Sequence, residues 1–225
     1  MDNLTYKDDP RSILIHYNQN HDPDTGQFTS SEAKSLASAI HNQASHRISQ
    51  IEDDVRTAAG TTNAKMYGLA HKQKTLDSIA RKIETDSYEK GISLKDAADD
   101  IKDAIRFTTV SSDKDFVSNY REFKYQLARR GYEELRCKNY FSLYNDGKAK
   151  HKQVTSVFGD HSGYRFEVQF QTPSSLAAKE KKTKLYEEAR RKDVSESRKK
   201  ELETAMEKLA ETVTEPVNIN EIKNH

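Results

Sequence analysis

From Gly163 to Gln171 the chain alternates strictly, with Tyr164, Phe166, Val168 and Phe170 at one parity and Arg165, Glu167, Gln169 and Gln171 at the other. A period of two places each set on its own face of a β-strand. A strand needs partners for its backbone groups, and three stretches qualify. Ala104–Val110 is short and rich in β-branched and aromatic residues, and residues 132 to 143 and 151 to 158 read in the same way. Asn145-Asp-Gly147 and Gly159-Asp-His-Ser-Gly163 separate the last three strands as turns.

Elsewhere the period is helical. Leu36, Ile40, Ala44, Ile48, Ile51 and Val55 recur at helical spacing up to Gly60, with Ser31 available as a cap. A second helix is expected from Thr75, and a short third one from Ser93 to about Asp100, after the Gly91 stop. Residues 113 to 130 carry Phe116, Tyr120, Phe123 and Leu127 along one side before Gly131. A helix is expected at 174 to 191, and Leu202, Met206, Leu209 and Val213 line a stripe on a last one before Pro216. Residues 1 to 30 hold Asp22-Pro23-Asp24 and Thr25-Gly26 with little periodic apolar content, and are expected to form an extended or disordered arm. The order predicts an α+β fold, a small mixed β-sheet flanked by helices over 31 to 192, followed by a C-terminal helix and tail over 193 to 225. The stripe at 195 to 213 fits packing on the domain and assembly into a homo-oligomer equally well.

A length of 225 residues suits one domain with helical additions. Lys and Arg total 37 against 36 Asp and Glu, so any anion site must be local rather than a property of the whole surface. Cys137 stands alone, which excludes an internal disulfide and suits a reducing compartment. No apolar run approaches the roughly 20 residues of a membrane span, and the first residues lack a secretory apolar region. A soluble, cytoplasmic protein that makes no membrane contact is expected.

Three features bear on chemistry. The odd face of the strand at 163 to 171 is a polar row centred on Glu167, and the same alternation also describes an edge strand with a solvated face. Lys72, Lys74, Ser78, Arg81 and Lys82 form a basic stretch. With a helix starting near Thr75, the last four of these share one face opposite Leu76, Ile79, Ala80 and Ile83. Such a stripe suits a polyphosphate, met by cations, by Ser78 and by the free N–H groups of the first helical turn; an ordinary solvated face reads the same way. The third feature, Asp99-Asp-Ile-Lys-Asp103, sets carboxylates at the mouth of the first strand, where Mg²⁺ or merely an acidic helix end would fit. Asp103 shares parity with Ile105 and Phe107, so it reaches a polar site only by preceding the regular pleat.

In this order the three features resemble the synthetase domain of RelA/SpoT-type enzymes. The family's basic signature, approximately R-x-K-S-x-x-S-I-x-x-K, is matched by Lys72, Lys74, Thr75, Ser78, Ile79 and Lys82. Its strand Asp followed by Arg is matched by Asp103 and Arg106 at a shorter spacing, which keeps Asp100 as a rival. Its E-x-Q-x-x-T strand is matched by Glu167, Gln169 and Thr172. A closer resemblance, over about residues 65 to 192, is to small RelA/SpoT-like proteins. Their elements read here as Asp103–Thr108, Gly131-Tyr132, Lys138–Phe141, Phe166–Ser175, Lys179-Glu180 and Leu185–Glu187. The family's acceptor element Y-[KR]-G-x-[HN] reads His151-Lys-Gln-Val-Thr155, Gln171 replaces a His or Arg, and Thr183 replaces a His.

The resemblance implies a nucleotidyltransferase-like fold and transfer of the β,γ-pyrophosphate of ATP to the 3′-hydroxyl of GDP or GTP. A related acceptor such as ATP or tRNA would make the protein a growth-arresting toxin. Asp103 and Glu167 would hold Mg²⁺, while Lys72, Lys74, Ser78, Arg81 and Lys82 would cradle ATP. Glu167 would orient or deprotonate the acceptor hydroxyl, and His151, Lys152 and Gln169 would bind the acceptor. No hydrolase half is implied, since the His21-Asp22 dipeptide lies in the arm. Tyr17–Thr29 resembles a segment of phage head-morphogenesis proteins, N-H-D-P-x-T-G-x-F-T. It implies a phage or prophage gene, head proteins as partners and a virion-associated location. With the altered acceptor element, it also implies an alternative function as a structural or interaction protein carrying a degenerate domain.

Overall fold

The computed structural model describes residues 30–189, 191 and 193–225; the arm with its Tyr17–Thr29 motif lies outside the described residues. Helix α1 (Ser31–Gly60) is followed by strand β1 (Lys65–Tyr67), a 3-10 turn, α2 (Leu76–Lys90) and α3 (Leu94–Asp99). Then come β2 (Arg106–Val110), α4 (Phe116–Ala128), β3 (Tyr132–Asn139), α5 (Tyr140–Asn145), β4 (Val154–Asp160) and β5 (Arg165–Gln171). Helices α6 (Pro173–Ala189) and α7 (Glu196–Leu209) complete the main elements. The fold is α+β, on a mixed five-stranded sheet of order β1-β2-β5-β4-β3. Only β2 and β5 pair in parallel; the other three pairs are antiparallel.

Local chemistry explains most boundaries. Helix α1 starts where expected, but Ser30 rather than Ser31 is its cap, accepting from the Ala33 N–H. Thr75 and Ser93 cap α2 and α3, and Gly91 takes the left-handed conformation that ends α2. Three expectations need correction. The strand expected over 132 to 143 stops at Asn139, whose side chain caps α5 by accepting from the N–H groups of Phe141 and Ser142. Asn145–Gly147 is therefore the end of a helix and not a hairpin turn. Strand β1 was too short to leave an alternating pattern, and it forms because β2 offers it an antiparallel edge.

Phe166, Val168 and Phe170 face an aromatic core with Phe107, Phe158 and, from α4, Tyr120 and Phe123. Rings here meet edge-on or offset, as their quadrupoles favour. The outer edge of β3 is partly closed by the C-terminal residues. Cys137 and His225 exchange backbone hydrogen bonds of 3.0 Å, and Asn139 donates to the carbonyls of Ile219 and Ile222 at 2.9 Å. No helix among the described residues is long and apolar enough to cross a membrane.

Phe166 is fully buried and touches the rings of Phe107, Tyr132 and Phe158. Phe166→Ala is expected to cost about 3–5 kcal/mol of stability, read as a lower urea midpoint by circular dichroism; a loss below about 1 kcal/mol would contradict this packing.

Candidate active site

Strand β5 is the central strand, and this overturns the edge-strand alternative. Both of its faces are covered, so Glu167, Gln169 and Gln171 are only 9%, 6% and 1% exposed. Buried polar groups must find partners, and these do. Gln169 Nε2 donates to Glu167 Oε1 at 2.7 Å, Lys179 Nζ donates to Gln169 Oε1, and Ser175 Oγ donates to Gln171 Oε1 at 2.5 Å. Gln171 also donates to Gln153 Oε1, so its amide is consumed internally. Thr172 ends the strand by entering a reciprocal cap with Ser175, ahead of Pro173 in the first turn of α6.

Asp103 lies ahead of the pleat of β2, as its parity requires. The segment 72 to 74 runs alongside it: Arg106 N–H donates to the Lys72 carbonyl at 2.7 Å and Lys74 N–H to the Ala104 carbonyl at 2.9 Å. That strap brings Lys74 Nζ to 2.6 Å from Asp103 Oδ2, with Lys82 Nζ at 4.0 Å from Oδ1. Burial alone would raise the Asp103 carboxyl, but Lys74, Lys82 and Arg106 outweigh it and hold the group below its ordinary value. Glu167 moves the other way. Burial and the Asp103 charge raise it, against the opposing effects of Gln169, Arg106 and Lys74. Two neighbouring carboxyls are thus driven apart in affinity for a proton, a pattern of acid–base sites.

Asp103 Oδ1 is buried and has no hydrogen-bond partner. An orphaned carboxylate oxygen near a second carboxylate fits a hard, oxygen-seeking cation such as Mg²⁺, which needs only one or two protein carboxylates. No group of three or more His, Cys, Asp or Glu suited to a metal occurs among the described residues, so phosphate and water would complete the coordination. Asp100, the rival, pairs with Lys90 and Lys102, and its side chain is 43% exposed.

The basic stretch divides. Lys74 precedes α2, on the strap, and Lys82 joins it at Asp103 from the helix. Arg81 is half-buried on the same helix, whose Ile79, Ala80 and Ile83 face the core. Ser78 gives its backbone N–H to the Thr75 cap at 3.3 Å, so that donor is not free for a phosphate, a correction to the expectation for the first turn. Lys72 turns to α1 and pairs with Glu52 at 2.5 Å.

On the other side of Glu167 the His151 ring lies against Tyr140, with centroids 4.2 Å apart. Lys152 Nζ sits 4.6 Å over the Tyr144 ring and 3.4 Å from both Glu215 and the Val213 carbonyl. A cavity of about 190 Å³ opens here, walled by Lys150, His151, Lys179 and Lys182 and, from α7, by Met206 and Leu209. Burial, then Lys182 and Lys179, lower the His151 imidazole to about 4. The stripe on α7 therefore packs on the domain: Leu202, Met206 and Val213 are buried. Thr183 is bonded to its own helix at the Lys179 carbonyl.

Two side chains join this constellation that the sequence reading did not put among the site residues. Arg106 stands opposite Glu167 in the parallel register and acts on both carboxyls. Lys179 lies between the polar row and the cavity. The signal for Lys179 was its place four residues after Ser175, on the face of α6 turned to β5.

No family model matches the chain, and no curated protein matches it. Among solved structures it is similar to the small alarmone synthetase 1 from Bacillus subtilis bound to its product pppGpp. That likeness has 16% identity and a TM-score of 0.48 over 76% of this chain and 88% of that one. A GTP pyrophosphokinase family protein from Streptococcus pneumoniae is similar at 13% identity and a TM-score of 0.48, over 81% and 89% of the two chains. The type VI effector Tas1, in complex with its immunity protein, is similar at 14% identity and a TM-score of 0.45, over 79% and 96%. Such likenesses concern the course of the backbone alone.

His151 is expected to titrate near 4 in the folded chain and near 6.5 when unfolded. Between those values the unfolded chain binds a proton that the folded one does not, so this residue lowers stability as pH falls through that window. NMR titration of the imidazole checks it: a folded-state midpoint near the ordinary value would show that the ring is not buried as described.

Proposed function

We propose that this chain is a pyrophosphokinase, moving the β,γ-pyrophosphate of ATP to a hydroxyl of a nucleotide acceptor, with the 3′-hydroxyl of GDP or GTP the first to test. One observation carries the reading: Asp103, held ionised with a buried oxygen that no hydrogen bond satisfies, lies near Glu167, whose carboxyl is pushed toward protonation, at the end of a cationic strap. Transfer of this kind is mostly positioning and charge neutralisation, plus a base at the attacking oxygen.

Lys74, Lys82 and Arg81 neutralise the donor phosphates, with the Ser78 hydroxyl as a further donor. Lys72, tied to Glu52, supports the strap from behind and reaches phosphate only by leaving that pair. Mg²⁺, held by Asp103 and Glu167, would supply charge stabilisation on the phosphate oxygens. Glu167 receives the proton of the acceptor hydroxyl, and its raised affinity for a proton suits that role. The acceptor oxygen bonds to the β-phosphorus, the bond from that phosphorus to the α-phosphate oxygen breaks, and AMP leaves. The acceptor approaches over His151 and Lys152, next to Gln169.

One observation favours a second reading, a structural or interaction protein that keeps the fold, for instance among phage head proteins. His151 and Lys152 are both occupied by this chain's own Tyr140, Tyr144 and Glu215.

Purified protein incubated with labelled ATP and Mg²⁺ is expected to label GDP, GTP, ATP or tRNA, and EDTA to abolish the reaction. Glu167→Ala should lower the rate by about 10²–10⁴. Absence of product with every acceptor supports the structural reading, and full activity in the variant removes Glu167 from the chemistry.

A further inference from the structure

Helix α6 meets the polar row of β5 with one side chain per turn. Ser175 Oγ donates to Gln171 Oε1 at 2.5 Å, and Lys179, four residues on, donates from Nζ to Gln169 Oε1 at 2.5 Å. The repeats match, since four helical residues advance about 6 Å and two strand residues about 6.8 Å. Gln169 then donates from Nε2 to Glu167 Oε1 at 2.7 Å. An ammonium has no acceptor and an ionised carboxylate has no donor. With Lys179 at one end and Glu167 at the other, a single orientation of the Gln169 amide satisfies both. Turned over, it would set oxygen against oxygen and nitrogen against nitrogen.

We propose that Lys179 is a positioning residue of the transfer reaction: by holding the Gln169 carbonyl it fixes the amide donor on Glu167, and with it the carboxylate that meets the acceptor hydroxyl. Lys179 occupies the junction of the polar row and the cavity. Burial and then the Arg106 charge lower its ammonium to about 8, against Glu167 and Glu180, which raise it. A buried lysine set between a polar row and a cavity is a candidate functional group. The kinetic part of this proposal rests on the pyrophosphokinase reading; the orientation of Gln169 does not.

The test compares Lys179→Met and Lys179→Arg with the unmodified full chain, each first shown to be folded by thermal denaturation. Lys179→Ala replaces the methionine variant if that one does not fold. The Gln169 side-chain amide, assigned by its loss in Gln169→Ala, is followed by nitrogen-proton NMR. It is expected to be shifted and protected from exchange in the unmodified chain, to move toward free glutamine in Lys179→Met, and to be restored in Lys179→Arg. In the transfer assay Lys179→Met should lower kcat by about 10–100-fold, the effect usual for supporting partners of a site. The KM for ATP should stay within about twofold, and Lys179→Arg should recover most of the rate. An unchanged amide signal in folded Lys179→Met overturns the proposal, as does an unchanged kcat in that variant when the unmodified chain is active. If the unmodified chain labels no acceptor, the pyrophosphokinase reading falls and the amide spectra alone decide the place of Lys179.

Discussion

A glutamate and two glutamines buried on the central strand are the constraint to which the rest of the molecule answers. Removing such groups from water costs several kcal/mol apiece unless each finds a partner. The partners come from several elements: Ser175 and Lys179 from α6, which follows the strand directly, Gln153 from the loop before β4, and the Arg106 charge from the parallel neighbour β2. The parallel pairing sets Arg106 across from Glu167, while the antiparallel pairing with β4 sets Thr155 across from Gln169. The core on the opposite face of the sheet is aromatic and keeps β5 in one register. A one-residue slip would exchange the phenylalanines for the polar row.

The carboxylate pair depends on a second constraint, the strap from Lys72 to Lys74. Its backbone hydrogen bonds to Ala104 and Arg106 hold the chain beside Asp103 before the pleat begins. Lys72 anchors the strap to α1 through Glu52, so the long first helix supports the site from outside it. Asp103 and Glu167 are shifted in opposite directions in their affinity for a proton for a physical reason: the first has cations beside it, and the second is buried next to the first.

The side of the cavity is built differently. Helix α7 contributes the apolar wall of the cavity, and Lys152 is drawn toward Glu215 and the Tyr144 ring. The C-terminal residues continue across Asn139 to the edge of β3, tying together elements that the chain order leaves separate.

The strand at 163 to 171, the helices opened by Thr75 and Ser93 and the end of α2 at Gly91 were legible in the sequence, because alternation, caps and left-handed glycines act within a few residues. Helix α5 was hidden, because Tyr140 and Phe141 look like strand residues and only the Asn139 cap turns them. The candidate Asp103, Lys74, Lys82, Glu167 and Gln169 could be picked out one by one, with Asp100 still a rival. Alternation by itself described a wet edge as well as a buried site, since a period of two records which residues share a face and not what covers it. Tertiary structure decided that β5 is central, that Asp103 rather than Asp100 lies by Glu167, and that Lys179 closes the row. Those outcomes depend on strand order and on which helix crosses which face, and both are set by contacts between residues distant in the chain.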